Sequence, residues 1–490
     1  MKECNFIPSD SEVLNYVPNV LLKKRSIEQV VEEALDYAHC HGLAMRLADS
    51  RDKSDVCQSA PLALFPSPFP AKLYQQAVEV QNAMLELYFR LAWDHDFLVE
   101  AHKEVIKTDE FIRKMVEIYE KVWASGVPQT KTLITQRADY MCNVAKNPEG
   151  ELKQIEVNNI AVSMGGLAQR VTAWHRKILM ELVGECPAER VPVNGPVETL
   201  AEGLYHAWLS MHDRNAAVLV VVENANQNQL DQRFIEYELA ALNDGPIKII
   251  RATLGQCYDR LSLKDKDLMI DGSTRVTVVY FRSGYGPEHY PTNKEWDARL
   301  VMEQSNAIKC PWIGLQLANT KKVQQVLDNP GVVEKHFPEE PARVQQIRAT
   351  FAGLWGLDGD DEQTKQVIAD AIANPDRYVL KPQLEGGGGN YYGAEIPEKL
   401  KSLSKVELSA HILMEKIQPL VVKNVLVRAL QPVKVSDVVS ELGIYGFLFG
   451  ESDKIQRVYS HGHILRTKAN GVNEGGIAVG ASVVDSPFLF

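Results

Sequence analysis

The sequence predicts a mixed α/β protein, and three observations carry this prediction. Up to about residue 120, apolar residues recur mainly at helical spacing. Between residues 216 and 282, apolar runs of strand length alternate with a helical pattern. A glycine-rich stretch follows another strand-like run, Tyr378–Leu380. The 490 residues are 45% hydrophobic and 24% charged, which is typical of a folded chain long enough for two or more packed units.

The N-terminal part of the chain is predicted to be mainly helical. Ser26 and Gln29 form a capping-box pattern before apolar residues at helical spacing, so we expect a helix over residues 26–48. Prolines crowd the stretch 61–70, which cannot continue a helix. The helical pattern then resumes over residues 71–122.

Short apolar runs flanked by polar and glycine residues indicate strands in the rest of the chain. The first two such runs, Thr132–Thr135 and Gln154–Val157, mark the beginning of a mixed core. Three further runs lie near the C-terminus, at Ile412–Met414, Val425–Val427 and Leu442–Phe449.

A βαβ pattern is the clearest separate unit. Its pieces are a strand at Ala217–Val222, a helix at Asp231–Leu242, and strands at Ile247–Ala252 and Val276–Phe281. Such units build parallel sheets that bind ligands beyond the carboxyl ends of the strands. Asn226, Asn228 and Arg282 are predicted to lie there.

The run from Lys381 to Asn390 predicts a nucleotide site. Its four consecutive glycines, Gly386–Gly389, let backbone N–H groups approach phosphate oxygens closely. Lys381 can act on those oxygens as a point charge, and Glu385 can hold the Mg²⁺ that accompanies ATP. The spacing matches neither a Walker A loop nor a dinucleotide-binding fingerprint, so another ATP-binding architecture is indicated. A mobile surface loop is the alternative.

Composition excludes several other classes of function. A net charge of -11 argues against a general nucleic-acid or anionic-membrane surface. The seven cysteines are scattered, with no C-x-x-C pair, which favours reduced thiols in the cytosol. The first residues lack the apolar core of a signal peptide, and no apolar run is long enough to span a bilayer. We therefore expect a cytoplasmic protein.

Several motifs together are similar to the eukaryotic-type glutathione synthetase family. They are Arg137–Met141, Gln154–Asn158, Ser163–Leu167, Phe281–Tyr285, Thr320–Gln325, the Lys381 run, Arg466–Lys468 and Gly475–Gly476. The resemblance covers most of the chain. It implies an ATP-grasp fold with a substrate domain and a glycine-rich lid, a homodimer, and ATP-dependent ligation of γ-glutamylcysteine and glycine through an acyl phosphate.

The resemblance also suggests a division of the chain. The predicted parts are a mainly helical N-terminal part (1–130), the start of the ATP-grasp and metal-binding core (131–213), a βαβ substrate domain (214–318), and the ATP-grasp core with its lid (319–490).

ATP and Mg²⁺ are assigned to one set of residues. Glu156 and Asn158 alternate along a predicted strand, so both point to one face and with Glu385 would give Mg²⁺ three oxygen ligands. An ordinary polar strand face is the alternative. By resemblance the ATP-binding residues are Glu156, Lys321, Lys381, Gly386, Gly387, Gly388, Gly389, Asn390, Tyr392, Met414, Glu415, Lys416, Ile417, Glu441, Lys468 and Glu474.

The resemblance assigns a second set to the dipeptide and glycine. These residues are Arg137, Ile160, Ala161, Val162, Ser163, Asn226, Gln227, Asn228, Gln232, Arg282, Ser283, Gly284, Tyr285, Arg466, Ile477 and Ala478. The dipeptide carries two carboxylates and one ammonium group, which explains a need for arginine forks together with amides and hydroxyls. Arg466 is the predicted key catalytic residue, assisted by Lys321 and Lys381.

Three positions depart from the family pattern. Asn226 stands where glutamate is common, Ala161 where serine is frequent and Gly389 where asparagine is usual. We expect these departures to alter affinity and to leave the chemistry unchanged. Two alternatives remain: an ATP-grasp ligase for another carboxylate and amine, and a nucleotide-binding regulatory protein without turnover.

Overall fold

The structure is a computed structural model that describes residues 10–184, 186–383, 389–473, 475–477 and 480–490. The mixed α/β class is confirmed. The helices are α1 Asp10–Val13, α2 Tyr16–Asn19, α3 Ile27–Cys40, α4 Ala71–Leu91, α5 His95–His102, α6 Glu110–Ala124, α7 Gly165–Val183, α8 Pro196–Leu209, α9 Gln229–Ala241, α10 Leu254–Arg260, α11 Asn293–Glu303, α12 Ile313–Ala318, α13 Lys321–Asp328, α14 Val332–His336, α15 Pro341–Thr350, α16 Glu362–Ala373, α17 Glu395–Ser402 and α18 Lys405–Leu408.

The strands come from all parts of the described chain. They are β1 Ala44–Arg46, β2 Cys57–Ser59, β3 Leu62–Ala63, β4 Ser67–Phe69, β5 Lys131–Asn143, β6 Glu151–Asn158, β7 Ala217–Val221, β8 Lys248–Ala252, β9 Leu261–Lys264, β10 Asp267–Ile270, β11 Thr274–Phe281, β12 Ile308–Cys310, β13 Leu354–Gly356, β14 Tyr378–Pro382, β15 Tyr391–Tyr392, β16 His411–Glu415, β17 Val422–Val427, β18 Val435–Glu451, β19 Lys454–Ala469, β20 Val483–Asp485 and β21 Pro487–Leu489.

A central sheet with the order β17-β3-β20-β19-β18-β5-β6 forms the middle of the molecule. Successive residues of β18 face opposite cores, as the pleat requires. Leu442 and Ile444 pack with α4, whereas Tyr445 and Phe447 pack with α7 and α8. Gly203 of α8 lies so close that an added Cβ would approach Phe447 Cγ to 2.9 Å. Helices therefore cover both faces of this sheet.

The predicted βαβ unit forms a second sheet with the order β8-β7-β11-β10-β9, and β12 pairs with β11. Strands β8, β7, β11 and β12 are parallel, as the pattern predicts. The hairpin of β9 and β10 is antiparallel, and the sequence analysis did not predict it. Asn226 and Arg282 follow the carboxyl ends of β7 and β11, so the prediction for them is confirmed.

A third, antiparallel sheet has the order β13-β16-β14-β15 and holds the strand that precedes the glycine run. Its two faces belong to small apolar clusters separate from the main cores. Residues Leu384–Gly388, which include most of the glycine run, lie outside the described residues.

The predicted helix 26–48 is too long. Ser26 does cap α3, since its Oγ accepts the backbone N–H of Gln29 at 3.4 Å. However, α3 ends at Cys40, and Gly42 adopts a φ of +70°, a left-handed conformation that ends helices. The next residues form β1, which pairs with β2. Tertiary pairing therefore overrides a helical pattern here.

The other predicted elements are observed with shifted ends. The helical stretch 71–122 is divided into α4, α5 and α6, and the strand at Leu442–Phe449 extends over Val435–Glu451. Among the described helices, none is both long and apolar enough to cross a bilayer. The division into domains stays a prediction. Strands β5 and β6 of the predicted part 131–213 share one sheet with β17–β20 of the predicted part 319–490.

Candidate functional site

A cavity of about 460 Å³ lies where the three large sheets meet. Side chains from the central sheet, the βαβ sheet and the third sheet all reach it. Residues of the two predicted sets that line it are Arg137, Glu156, Asn158, Ile160, Ala161, Val162, Ser163, Asn226, Asn228, Gln232, Arg282, Tyr285, Lys321, Lys381, Asn390, Tyr392, Met414, Glu415, Lys416, Ile417, Glu441, Arg466, Lys468 and Ile477.

Two of the arginines share one buried carboxylate, Asp139. Arg137 Nε and Nη2 donate to its two oxygens at 2.7 and 2.8 Å, and Arg466 Nη2 donates to its Oδ2 at 2.9 Å. Gly443 lies opposite Asp139 on β18, where an added Cβ would come within 2.7 Å of Asp139 Oδ1. Asp139 thus sets the separation of two guanidinium groups that would otherwise repel each other.

The loop before α7 holds the arginines through its carbonyl groups. The Val162 carbonyl accepts from Arg282 Nη1, and the Ser163 carbonyl accepts from Arg137 Nη1 at 3.1 Å. Ala161 and Met164 of this loop have φ values of 50° and 71°, in the left-handed region. The loop conformation therefore costs backbone energy that other contacts must offset.

Asp231 of α9 provides such contacts. Its carboxylate accepts the backbone N–H groups of Met164 at 2.7 Å, Gly166 at 2.8 Å and Leu167 at 3.4 Å. These N–H groups lie at the start of α7, where backbone donors have no partner within the helix and a negative charge is favourable. Helix α9 thereby fixes the loop from outside the cavity.

Glu156 and Asn158 face the cavity together, as their alternation predicts. Burial alone would raise the pKa of the Glu156 carboxyl, but the Arg466 guanidinium and the Lys321 ammonium outweigh it and lower that pKa to about 2. The Asn158 amide nitrogen donates to Asp139 Oδ2 at 3.0 Å, so its oxygen is the end left for a cation. An ionised carboxylate and an amide oxygen fit Mg²⁺; Glu385 lies outside the described residues.

The two lysines reach the cavity from different elements. Lys321 is the first residue of α13, whose cap is Thr320, and Lys381 lies on β14. A bulge between β5 and β6 leaves Ile155 without a partner in the strand register, and its carbonyl accepts Lys381 Nζ at 3.2 Å. The strand irregularity thus fixes the position of one lysine.

Glu441 and Lys468 form a buried pair on adjacent strands. Lys468 Nζ donates to Glu441 Oε1 at 3.0 Å and to the Asn473 carbonyl at 2.9 Å. Burial would raise the pKa of Glu441, but Arg466 and Lys468 lower it. A Cβ on Gly475 would lie 2.7 Å from Glu441 Oε1, so this glycine allows the loop to approach the pair.

Comparison with known proteins places the chain in a family. A profile described as "Eukaryotic glutathione synthase, ATP binding domain" matches residues 24–489. The glutathione synthetase of Xenopus laevis is 42% identical over 94% of this chain and 97% of its own length. The chain belongs to the eukaryotic glutathione synthase family. It is therefore a ligase of glutathione biosynthesis that binds ATP.

Two further relatives agree with membership of the glutathione synthase family. The human glutathione synthetase is 41% identical over 96% of this chain and 98% of its own length. A glutathione synthetase-like effector from Globodera pallida, solved in its apo form, is similar in structure with a TM-score of 0.77. That protein is 30% identical, and the match covers 96% of this chain and 99% of the effector.

Some residues predicted from the glutathione synthase resemblance are not brought to the cavity. Gln227, Ser283, Gly284 and Gly389 do not line it, although Gly284 holds the adjacent loop through its carbonyl, which accepts Gln316 Nε2 at 2.8 Å. The remaining predicted residues, Glu385, Gly386, Gly387, Gly388, Glu474 and Ala478, lie outside the described residues. The binding roles of all these residues stay predictions.

The cavity also has lining residues that sequence reasoning missed. They are Met141, Ile155, Met164, Val379, Pro419, Val439, Asn470, Gly471, Val472 and Asn473. Gly475 and Gly476 also line the cavity; they belong to a family motif but received no predicted binding role. Val379 and Met141 carry no chemical signal, because an apolar residue in a strand is ordinarily part of a core. Asp139 could have been found, since a carboxylate two residues from an arginine on one strand faces the same side.

Proposed function

We propose that the protein joins γ-glutamylcysteine to glycine, using ATP, and forms glutathione, ADP and phosphate through an acyl phosphate. The observation that supports this most is the convergence of Lys321, Lys381, Arg137, Arg282 and Arg466 on one cavity. Such a set of cations is needed where a triphosphate and a dipeptide with two carboxylates bind side by side.

The proposed chemistry has two steps. A cysteinyl carboxylate oxygen attacks the γ-phosphorus of ATP, and the bond from that phosphorus to the bridging oxygen of ADP breaks. The glycine amine then attacks the acyl carbon, and phosphate leaves. Arg466, which is 14% exposed beside Glu156 and Glu441, is positioned to act on the phosphoryl oxygens as charge moves among them. Alignment and charge neutralisation supply the catalysis.

Glu156 and Asn158, together with Glu385, would hold Mg²⁺. The ion would neutralise charge on the phosphate oxygens when bound. Within the described residues, no group of three or more His, Cys, Asp or Glu side chains forms a metal site by itself. ATP oxygens would therefore complete the coordination, as is usual for Mg²⁺ bound with a nucleotide.

Glycine is the proposed acceptor. Ile477 is 4% exposed and contributes an apolar side chain to the cavity, in agreement with the acceptor role that the family resemblance implies for it. β-Alanine is longer by one methylene, and a pocket distinguishes such a pair by only about 1–3 kcal/mol. We therefore expect weak but measurable use of β-alanine.

The first experiment is an assay of ADP release with Mg²⁺-ATP, γ-glutamylcysteine and glycine, in which each substrate is omitted in turn. We expect ADP release to require both the dipeptide and glycine. We also expect mass spectrometry to identify the product as glutathione. ADP release with another carboxylate and amine, and none with these, would favour the alternative ligase. ATP binding without turnover of any pair would favour a regulatory protein.

Arg466→Lys tests the role of the guanidinium. The substitution keeps the charge but removes the fork, so we expect kcat to fall about 10²- to 10³-fold while calorimetric ATP affinity is retained. Arg457→Lys is the matched control, because Arg457 lies on the same strand, is 45% exposed and pairs with Glu202. Equal kcat for the two variants would remove Arg466 from the mechanism.

We also propose an oligomeric state and a compartment. The family resemblance supports a homodimer, which sedimentation velocity would test by giving a mass near twice 54.9 kDa. The cytosol is the proposed compartment, because Cys40, Cys57, Cys142, Cys186, Cys257 and Cys310 are all free thiols. Microscopy of the tagged protein in its own cells would test this.

A further inference from the structure

Both polar atoms of the half-buried Asn226 side chain have partners within the protein. Asn226 Nδ2 donates to Glu223 Oε1 at 2.9 Å, and Asn226 Oδ1 accepts the backbone N–H of Asn228 at 2.7 Å. Asn226 lines the cavity but brings no charge to it. Glu223 is therefore the carboxylate that Asn226 contacts directly. A second carboxylate, Asp231, accepts Asn228 Nδ2 at 3.4 Å but is already engaged with the backbone N–H groups of Met164 and Gly166.

Glu223 collects donors from three side chains. Besides Asn226, the Tyr285 hydroxyl donates to Glu223 Oε1 at 3.2 Å, and His289 Nε2 lies 3.5 Å from the same oxygen. His289 Nδ1 accepts the Gly286 N–H at 3.2 Å, which leaves the proton on Nε2, toward the carboxylate. Burial would raise the pKa of Glu223, but the hydrogen bonds from His289, Tyr285 and Asn226 lower it. Glu223 is thus held as an anion.

The cavity wall beside this anion has one unused acceptor. Asn228 is 7% exposed, and its Oδ1 is buried with no hydrogen-bond partner among the described residues. By contrast, Gln232 Oε1 already accepts Arg251 Nη2 at 2.8 Å, so Gln232 offers its Nε2, a donor. A ligand group with N–H donors and a positive charge fits Asn228 and the field of Glu223.

An unused donor lies close by. Arg282 Nε is buried without a partner among the described residues, while Arg282 Nη1 is held by the Val162 carbonyl. Both charges act on Tyr285: burial raises the pKa of its hydroxyl, Glu223 raises it further and Arg282 lowers it, and the hydroxyl donates to Glu223 Oε1 at 3.2 Å. This wall therefore offers a cation, Arg282, and an anion, Glu223, and an α-amino acid group carries the complementary pair of charges.

We propose that Glu223 selects the α-ammonium group of the γ-glutamyl donor, acting from behind Asn226 and Tyr285, while Asn228 Oδ1 accepts its hydrogen bond and Arg282 binds the α-carboxylate. The inference rests on the proposed function and adds a positioning residue to it. Glu223 replaces, from three positions earlier in the chain, the charge that Asn226 lacks.

Substrate analogues separate this role from a structural one. Glutaryl-cysteine lacks the ammonium group, and γ-aminobutyryl-cysteine lacks the α-carboxylate. For the wild-type protein we expect kcat/KM with γ-glutamylcysteine to exceed that with glutaryl-cysteine about 10- to 100-fold, the range of a hydrogen bond to a charged group. A ratio near one in the wild-type protein would overturn the inference.

Glu223→Gln removes the charge and retains the shape. We expect the preference over glutaryl-cysteine to fall at least about tenfold, while the preference over γ-aminobutyryl-cysteine is retained. Glu288→Gln is the matched control, because Glu288 also lies near His289, at 3.4 Å, but is 64% exposed. Adding Asn226→Glu to Glu223→Gln should restore the preference. A Glu223→Gln variant that loses both preferences equally, or neither, would overturn the inference.

A second variant and the wild-type assay cover the cases in which Glu223→Gln does not fold or the proposed function is wrong. If Glu223→Gln does not fold, Glu223→Asp retracts the carboxylate and should lower the same ratio to a smaller extent; an unchanged ratio would overturn the inference. If wild-type protein does not turn over γ-glutamylcysteine with glycine, the proposed function fails first. If the wild-type protein does turn over these substrates, but the ratio of kcat/KM with γ-glutamylcysteine to that with glutaryl-cysteine is unchanged by the substitution, only the role of Glu223 fails.

Discussion

At the residue scale, the site depends on carboxylates that position cations. Asp139 is fully buried and accepts from Arg137, Arg466 and Asn158. A buried charge is stable only when it is paired and hydrogen-bonded, and here every contact recorded for Asp139 is of that kind. Asp231 has the corresponding role for the backbone of the loop before α7. Neither residue needs to touch a substrate to affect binding.

Asp139→Asn removes the charge that two arginines share. We expect the free energy of unfolding to fall by about 3–5 kcal/mol, since buried Arg137 loses the carboxylate with which it is paired, while Arg466 retains Glu441 and Glu156. The measurement is urea unfolding, combined with kcat/KM for the dipeptide, which should also fall. Asp437→Asn is the control: it breaks an exposed pair with Lys423 and should change the stability by about 1 kcal/mol at most. Equal effects of the two substitutions would contradict the role of Asp139.

At the element scale, α7 and α9 pack so closely that a side chain between them is excluded. Gly166 lies in the first turn of α7, where an added Cβ would approach Phe234 Cδ2 to 2.5 Å and Asp231 Oδ1 to 3.1 Å. The same Asp231 anchors the loop that holds Arg137 and Arg282. Helix packing and substrate binding are therefore linked through one contact.

Gly166→Ala should disturb both the packing of α7 on α9 and the binding of the dipeptide. Overpacking of this kind destabilises by about 1–3 kcal/mol, and displacement of Asp231 should raise KM for the dipeptide without a change in KM for ATP. Thermal unfolding and steady-state kinetics measure the two effects. Gly245→Ala is the control, because the nearest atom to its added Cβ is 3.8 Å away, and we expect a change within about 0.5 kcal/mol. If the Gly166→Ala variant is destabilised but its KM for the dipeptide is unchanged, helix packing and substrate binding are not linked through this contact.

At the scale of the whole molecule, a buried polar cluster ties the C-terminal strands to the central sheet. Asp485 of β20 accepts from Ser67 Oγ and Thr467 Oγ1, both at 2.6 Å, and Thr467 stands between Arg466 and Lys468 on β19. Burial raises the pKa of Asp485 to about 7, against the opposing effect of its hydrogen bonds. The stability of the fold is therefore linked to pH at a point next to the strand that carries Arg466.

The sign of this linkage can be tested with Asp485→Asn. Because the pKa of Asp485 is raised by folding, its contribution to stability is full below about pH 4 and is lost as the pH rises through about 7. We expect the stability of the variant relative to the wild type to increase between pH 5 and pH 8 by about 2–3 kcal/mol, measured by urea unfolding.

The comparison of the two proteins is essential to that test. Burial lowers the pKa of His175 to about 3 and that of His463 to about 3, so these histidines give a slope of opposite sign below pH 6.5. His463 gives the same background in both proteins, whereas His175 Nδ1 lies 3.9 Å from Asp485 Oδ1 and can respond to the substitution. Histidines of the unfolded chain lose their charge above about pH 6.5, so the part of the difference that develops between about pH 6.5 and pH 8 reports Asp485. A difference that stays constant from pH 5 to pH 8 would show that Asp485 does not titrate in this range.

By itself, the sequence determined the features that depend on neighbouring residues. The pleat alternation of Glu156 and Asn158, the parallel βαβ unit and the lysine before the glycine run could all be predicted, because side-chain period and turn chemistry are local. The order of the motifs along the chain was enough to predict the family, and the profile match over residues 24–489 confirms that prediction.

Only the tertiary structure decided which distant residues meet. Arg466 reaches Asp139 across 327 positions of the chain, because β18 pairs with both β5 and β19 in one register. Pairing of β1 with β2 likewise follows the end of α3 at Cys40, and Gln227 does not line the cavity. Glu223 became a candidate in the same way, since its partners Tyr285 and His289 come from another strand-to-helix connection. Sheet register and packing set such contacts, and no local pattern encodes them.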